Sequence, residues 1–274
     1  MLQVKTPAFV MIDGRKMAYD EVSPANPKGT MLLLTGLGSK RLGWYRQLNV
    51  FGEQYRTIAL DHRDTGDSDP SSGPYTTADQ ADDAAKVLKA LGIARAHVIG
   101  ISMGGFIALE LTLRHPEMVD KLVLTSTSAG GPTHVQPGQE MTAMLMRDRS
   151  GIEVGEMAKQ NYRMIMAPGY CESHPDEWER IAENARYRPQ TMEMYLRQLQ
   201  ACMGNNASDR LAQIKARTLV VHGDVDPLVP PDNGRYLAAH IPGARLIMYH
   251  NVGHIPIIER ADDYNREVLA FLES

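Results

Sequence analysis

Cysteine is nearly absent. The 274 residues contain two, Cys171 and Cys202, far apart and without a CxxC spacing. They build no disulfide framework and cannot hold a zinc ion alone. No stretch reaches the roughly 18 apolar residues of a spanning helix, so no membrane insertion is expected. Residues 1–10 include Lys5 and Pro7 but no apolar core with a small-residue cleavage site. No secretory leader is read there, and the expected location is cytoplasmic. Runs of like charge, internal repeats and low-complexity segments are also missing. The formal net charge of −4 gives no electrostatic reason to expect nucleic acid. What is present is an ordinary globular composition, 43% hydrophobic and 23% charged. Its length suffices for a buried parallel sheet with an inserted subdomain.

The apolar pattern alternates between two periods. Residues 9–12 and 16–19 flank Asp13-Gly14, a dipeptide that tolerates positive φ and so predicts a hairpin. Residues 30–35, 57–60, 97–101, 122–124, 218–221 and 246–249 are short apolar runs, suited to strands buried on both faces. Helices intervene. Ala81, Ala84, Ala85 and Leu88 share one helical face, a second helix runs from Met103 to about Arg114, and Tyr264, Val268, Phe271 and Leu272 mark a terminal one. Strands alternating with helices predict an α/β fold with a mostly parallel central sheet, the antiparallel start making it mixed.

One interval breaks the alternation. Roughly 80 residues between Ala129 and Ser208 show no strand, too many for a bare loop. They predict helices near 140–146, 152–166, 176–187 and 190–203, the last with Met192, Tyr195, Leu196 and Leu199 on one face. The expected organisation is a core of residues 1–128 and 209–274 with a helical cap at 129–208. The cap carries nine of the 16 methionines. Most of these read as core filling, the others as an adaptable wall over a pocket.

Gly100-Ile101-Ser102-Met103-Gly104 lies between a predicted strand and a predicted helix. A sharp turn there exposes the Ser102 hydroxyl in a strained conformation and aims helix N–H groups at it. The string alone is weak, but its place makes it a candidate nucleophile. A serine needs a base, and nine histidines are available. His254 is chosen because its loop follows the last strand, at the carboxyl edge of the sheet. His250 belongs to the strand, and His222 reads as packed or hydrogen-bonded. His62, His97, His115, His134, His174 and His240 read as surface or capping residues. The orienting carboxylate is Asp226 or Asp224, with Asp226 preferred and Asp224 read as a turn cap. The backbone N–H groups of Met103 and of Leu37, or else Gly38, are the candidate oxyanion donors.

These residues together resemble the α/β-hydrolase superfamily, over nearly the whole chain. GISMGG at 100–105 is similar to the nucleophile elbow of small capped esterases and lactonases. VHGDVDPLVP at 221–230 resembles the acid loop, and residues 252–254 resemble the histidine loop, with Glu259 shortly after it. DHRDTGDS at 61–68, with Leu42-Gly43-Trp44, resembles the aclacinomycin methylesterase-like branch. Thr35-Gly36 replaces the His-Gly that many relatives carry at the oxyanion loop. The resemblance implies hydrolysis of a small-molecule carboxylic ester with no metal and no organic cofactor, and the Met- and Leu-rich cap suggests an apolar pocket that favours short to medium esters. Gly36, Met144 and Tyr195 are the expected substrate contacts, and the chain is expected to be a monomer or homodimer. The same serine also serves lactone opening, carbon–carbon bond hydrolysis, acyl transfer or perhydrolysis, and the fold can serve a non-catalytic receptor. The Arg, Asp and Gly of DHRDTG read as braces for loops near the site.

Overall fold

The computed structural model describes residues 6–149 and 151–274. Residues 1–5, half of the segment weighed as a leader, lie outside them. Eight strands form one sheet: β1 (Ala8–Ile12), β2 (Arg15–Val22), β3 (Thr30–Leu34), β4 (Arg56–Leu60), β5 (Ala96–Ile101), β6 (Val119–Thr125), β7 (Arg217–Gly223) and β8 (Arg245–Tyr249). Their order is β1-β2-β4-β3-β5-β6-β7-β8. Only the β1–β2 and β2–β4 pairs are antiparallel. Asp13 and Gly14 make the first hairpin with φ of 49° and 76°, and Ile12 pairs with Arg15 directly beyond them.

The central strands are apolar at successive positions because helices cover both faces. Leu32, Leu34, Val98, Leu122, Leu124 and Val220 pack into one core, against the helices Thr77–Ala90 and Met103–Arg114. Met31, Leu33, Ile99, Val123, Leu219 and Val221 pack into the other, with the terminal helix Ala261–Glu273. Each fully buried aliphatic side chain contributes about 1.5–3 kcal/mol.

Between β6 and β7 the chain forms the helices Gln139–Met146, Val154–Ile165, Tyr170–Ser173, Pro175–Arg186 and Met192–Met203. The face expected for the last of these needs correction. Leu196 is exposed, and the buried stripe is Tyr195, Gln198 and Leu199. Gln198 centres that stripe because its amide has work there: Nε2 donates to Arg63 O and Oε1 accepts from Gly38 N. The helix Asp232–His240 has no clear sequence signal, because Pro230 and Pro231 obscure its start. Among the described residues no helix is long and apolar enough to cross a membrane.

The 61–68 loop is where the inserted helices meet the core. Asp61 and Arg41, both fully buried, pair at 2.5 Å. Gly66 sits at φ 56°, where an added Cβ would lie 2.0 Å from the Asp61 carboxylate. Asp64, at φ 66°, receives Arg197 through two bonds of 3.0 and 2.9 Å. Asp67 receives Tyr187 at 2.7 Å and Arg188 at 3.0 Å. The motif thus braces its own turn and also anchors the inserted helices. Arg197→Ala strands a buried carboxylate, so a chemical-denaturation series is expected to show a loss on the order of 3 kcal/mol. An unchanged midpoint would remove the anchor from the account.

His62 and His97 are not surface residues. They are 1% and 8% exposed, because His62 faces inward from the loop after β4 and His97 lies within β5 against Tyr55. Burial pulls the His62 imidazole down from 6.5 to about 4. The unfolded chain binds that proton from the higher value, so the folded state loses stability as pH falls from 6.5 through about 4. The loss is on the order of 3 kcal/mol. Stability curves at stepped pH should show a shallower fall for His62→Gln; an identical slope in both proteins would assign the effect elsewhere.

Candidate active site

Ser102 sits between the end of β5 and the helix Met103–Arg114, with φ 54° and ψ −120°. For a non-glycine residue this is a strained conformation, held by its surroundings. Ser102 N donates to Thr125 O at 2.9 Å, and Thr127 Oγ1 donates to Ser102 O at 2.8 Å. Two glycines make the turn possible. A Cβ on Gly100 would meet Gly104 O at 2.2 Å, and one on Gly104 would meet Leu34 O at 2.1 Å. Any side chain at either position would push the strand and helix apart.

His254 Nδ1 lies 2.8 Å from Asp226 Oδ2. Both side chains are buried. With Nδ1–H donating to the carboxylate, Nε2 keeps its lone pair and can accept a proton. Asp226 Oδ1 accepts from Leu228 N and Val229 N at 2.9 Å each. His222 stands behind the acid. Its Nε2 is 2.8 Å from Val229 O and 3.3 Å from Asp226 Oδ2, both acceptors, so that nitrogen carries the proton. Burial alone would raise the Asp226 pKa, but His254 and His222 outweigh it and hold the carboxyl at about 2. The acid is therefore ionised throughout the neutral range. Asp224 is placed elsewhere: it accepts from Asn251 N at 2.7 Å and lies 2.8 Å from His250 Nδ1, at the surface.

The histidine loop is tied on both sides. Glu259 accepts from Gly253 N at 2.9 Å, Ile255 N at 3.0 Å and Ala167 N at 2.8 Å. His254 N donates to Ile165 O at 2.7 Å, at the end of an inserted helix. Gly36 approaches the elbow so closely that its Cβ would lie 3.2 Å from Ser102 Cβ. Gly38 N–H donates to Gln198 Oε1 at 3.1 Å, a bond that ties this loop to an inserted helix. The Met103 N–H opens its helix and has no intrahelical acceptor.

Ser102, His254, Leu37, Met103, Gly36, Met144 and Tyr195 line one cavity of about 700 Å³. Its wall is mostly apolar, and the inserted helices supply much of it. Asp226 lies behind that wall, in contact with His254 only from its far side. His134 corrects another expectation, since it lines this cavity and bonds Ser128 Oγ at 2.8 Å. The loop after β6 carries it inward. His115 pairs with Asp82, while His174 and His240 stack on Tyr170 and Tyr236 at helix ends. Two contacts of the site lie beyond the sequence pattern: Gln198 is signalled only as a polar residue within an apolar stripe, and Ile165 acts through its backbone. Cys171 and Cys202 are free thiols. Among the described residues no three His, Cys, Asp or Glu side chains group as metal ligands.

The pattern of the alpha/beta hydrolase fold family matches residues 29–261. The chain is 30% identical over 266 residues to a Caulobacter sp. (strain K31) protein named as carbamate hydrolase RutD, spanning 93% of this chain and 95% of that one. It is 33% identical to the 2-hydroxy-6-oxononadienedioate/2-hydroxy-6-oxononatrienedioate hydrolase of Burkholderia vietnamiensis (strain G4), over 96% and 93% of the two chains. Among solved structures, the enol-lactonase from Burkholderia xenovorans LB400 is similar with a TM-score of 0.86 and 25% identity, covering 97% of this chain and all of that one. The sheet order, the elbow at Ser102 and these matches lead to one conclusion: the chain belongs to the alpha/beta hydrolase fold family.

Proposed function

We propose that this chain hydrolyses carboxylic esters through an acyl-enzyme on Ser102. The observation that carries the reading is the His254–Asp226 contact of 2.8 Å, made by a histidine that shares its cavity with a serine held at φ 54°. His254 Nε2 takes the Ser102 proton as Oγ attacks the ester carbonyl. The N–H groups of Leu37 and Met103 bind the oxyanion, and Asp226 stabilises the imidazolium. His254 then protonates the leaving alcohol. Water, deprotonated by the same imidazole, attacks the acyl-enzyme, and the acid departs as Ser102 recovers its proton. The inserted helices act as a cap whose methionines and leucines favour an apolar arm. The DHRDTGDS segment supports a place near the aclacinomycin methylesterase-like branch.

Lactone opening is the second reading, because a lactone is a ring ester and the enol-lactonase shares the fold so fully. A panel of p-nitrophenyl acetate, butyrate and octanoate beside γ- and δ-lactones separates the two. Repeated turnover of the open-chain esters, unaffected by chelator, supports the first reading. Turnover confined to lactones replaces it with the second, and chelator-sensitive turnover removes both.

A further inference from the structure

A smaller chamber of about 160 Å³ adjoins the cavity above Ser102, with Tyr195 on the wall of both. Arg149, Asn161 and Tyr195 line both spaces, and the smaller one adds Lys40 and Arg180. Among the described residues that line either space there is no Asp or Glu. The charge of this region is one-sided.

Arg149 makes the imbalance acute. Its guanidinium lies 3.2 Å from the centroid of the Tyr195 ring, and its Nε is buried without a hydrogen-bond partner. Burial pulls its pKa below the ordinary arginine value; the Tyr195 hydroxyl works against that shift and Arg147 adds to it. Lys40 lies behind it. It is 6% exposed, and its Nζ donates to the Asn184 and Ala185 carbonyls at 3.1 and 3.4 Å. Burial lowers its pKa to about 8, against the opposing pull of the Asp61 carboxylate. Elsewhere the protein neutralises its buried arginines with carboxylates: Arg41 with Asp61, Arg63 with Asp83 and Arg197 with Asp64. No such carboxylate is among the described residues that line the two spaces, and a ligand bearing one would supply the missing charge.

We propose that this chamber, with Arg149 at its threshold, is a carboxylate subsite, and that the preferred ester carries a free carboxylate on the arm passing Tyr195. The planar guanidinium can donate two parallel bonds to a carboxylate, while its face stays on the tyrosine ring. Lys40 and Arg180 supply the field behind it. The inference rests on the ester-hydrolase reading of Ser102 and narrows it to half-esters, with one acid group esterified or acylated and one free.

Two matched pairs of substrates test it in a pH-stat: monoethyl adipate against ethyl hexanoate, and 4-acetoxybutanoate against butyl acetate. The first pair puts the charge on the acyl arm, the second on the alcohol arm. In at least one pair the wild-type kcat/KM is expected to favour the anion, and Arg149→Met is expected to lower that preference at least about tenfold. Arg149→Lys should recover part of it, and Arg163→Met, at an exposed arginine of the same insertion, should leave it alone. Neutral esters favoured in both pairs, with ratios unmoved by Arg149→Met, would overturn the subsite. If wild type hydrolyses none of the four, the ester reading fails instead. Calorimetry of adipate binding to Ser102→Ala then judges the subsite by itself: binding weakened at least about tenfold by Arg149→Met upholds it, and no binding ends it.

Discussion

Ser102→Ala is expected to lower kcat for p-nitrophenyl butyrate by about 10⁵–10⁶-fold while leaving the fold intact. The size of the effect follows from the division of labour at the site. His254 and Asp226 have no other nucleophile to serve, so losing the hydroxyl disables the three together. What survives is the oxyanion donors and the cavity, worth about 10³-fold over water. The fold should not suffer, because the backbone of Ser102 makes the structural bonds: its N–H to Thr125 and its carbonyl from Thr127. Alanine at φ 54° is as strained as serine, so the melting temperature should change little. A loss of less than about tenfold would place the chemistry on another residue.

Asp226→Asn should cost nearly as much, about 10⁴-fold in kcat. An amide in place of Oδ2 meets two hydrogen-bond donors, His222 Nε2–H and His254 Nδ1–H, and can accept from only one side. His222 is fixed as a donor by Val229 O at 2.8 Å, so the conflict falls on His254. Its proton shifts to Nε2, where a base is needed, and the imidazole faces Ser102 in the wrong tautomer. Asp224→Asn is the control. That residue bonds His250 and Asn251 at the surface, and its loss should leave kcat within a factor of two, or about 0.4 kcal/mol. Equal effects of the two substitutions would refute the assignment of Asp226.

Much of this site is legible along the chain because its parts are local. A serine between a strand run and a helix run, flanked by glycines, has few structural alternatives. Acid and histidine loops follow strands whose apolar runs are short and clear. The failures are tertiary. His62, His97 and His134 read as exposed in the sequence because a polar residue in a loop or strand does so until its neighbours are known. Leu196 reads as inward because the helix period alone cannot tell that Gln198 has backbone partners awaiting it. The Gly38 N–H is engaged by that same Gln198, 160 residues away, which no local pattern shows. The place of Arg149 on the cavity wall, against the Tyr195 ring, carries no mark in the sequence.

The most direct test of the acyl-enzyme account uses His254→Ala, in which Ser102 can still be acylated slowly but no base activates water. This variant is mixed with p-nitrophenyl butyrate, quenched in acid and digested for mass spectrometry. The account predicts one butyryl group on the peptide that carries Ser102, and none when Ser102→Ala is added. An unmodified Ser102 peptide, with the label on a histidine or on another serine, would contradict it.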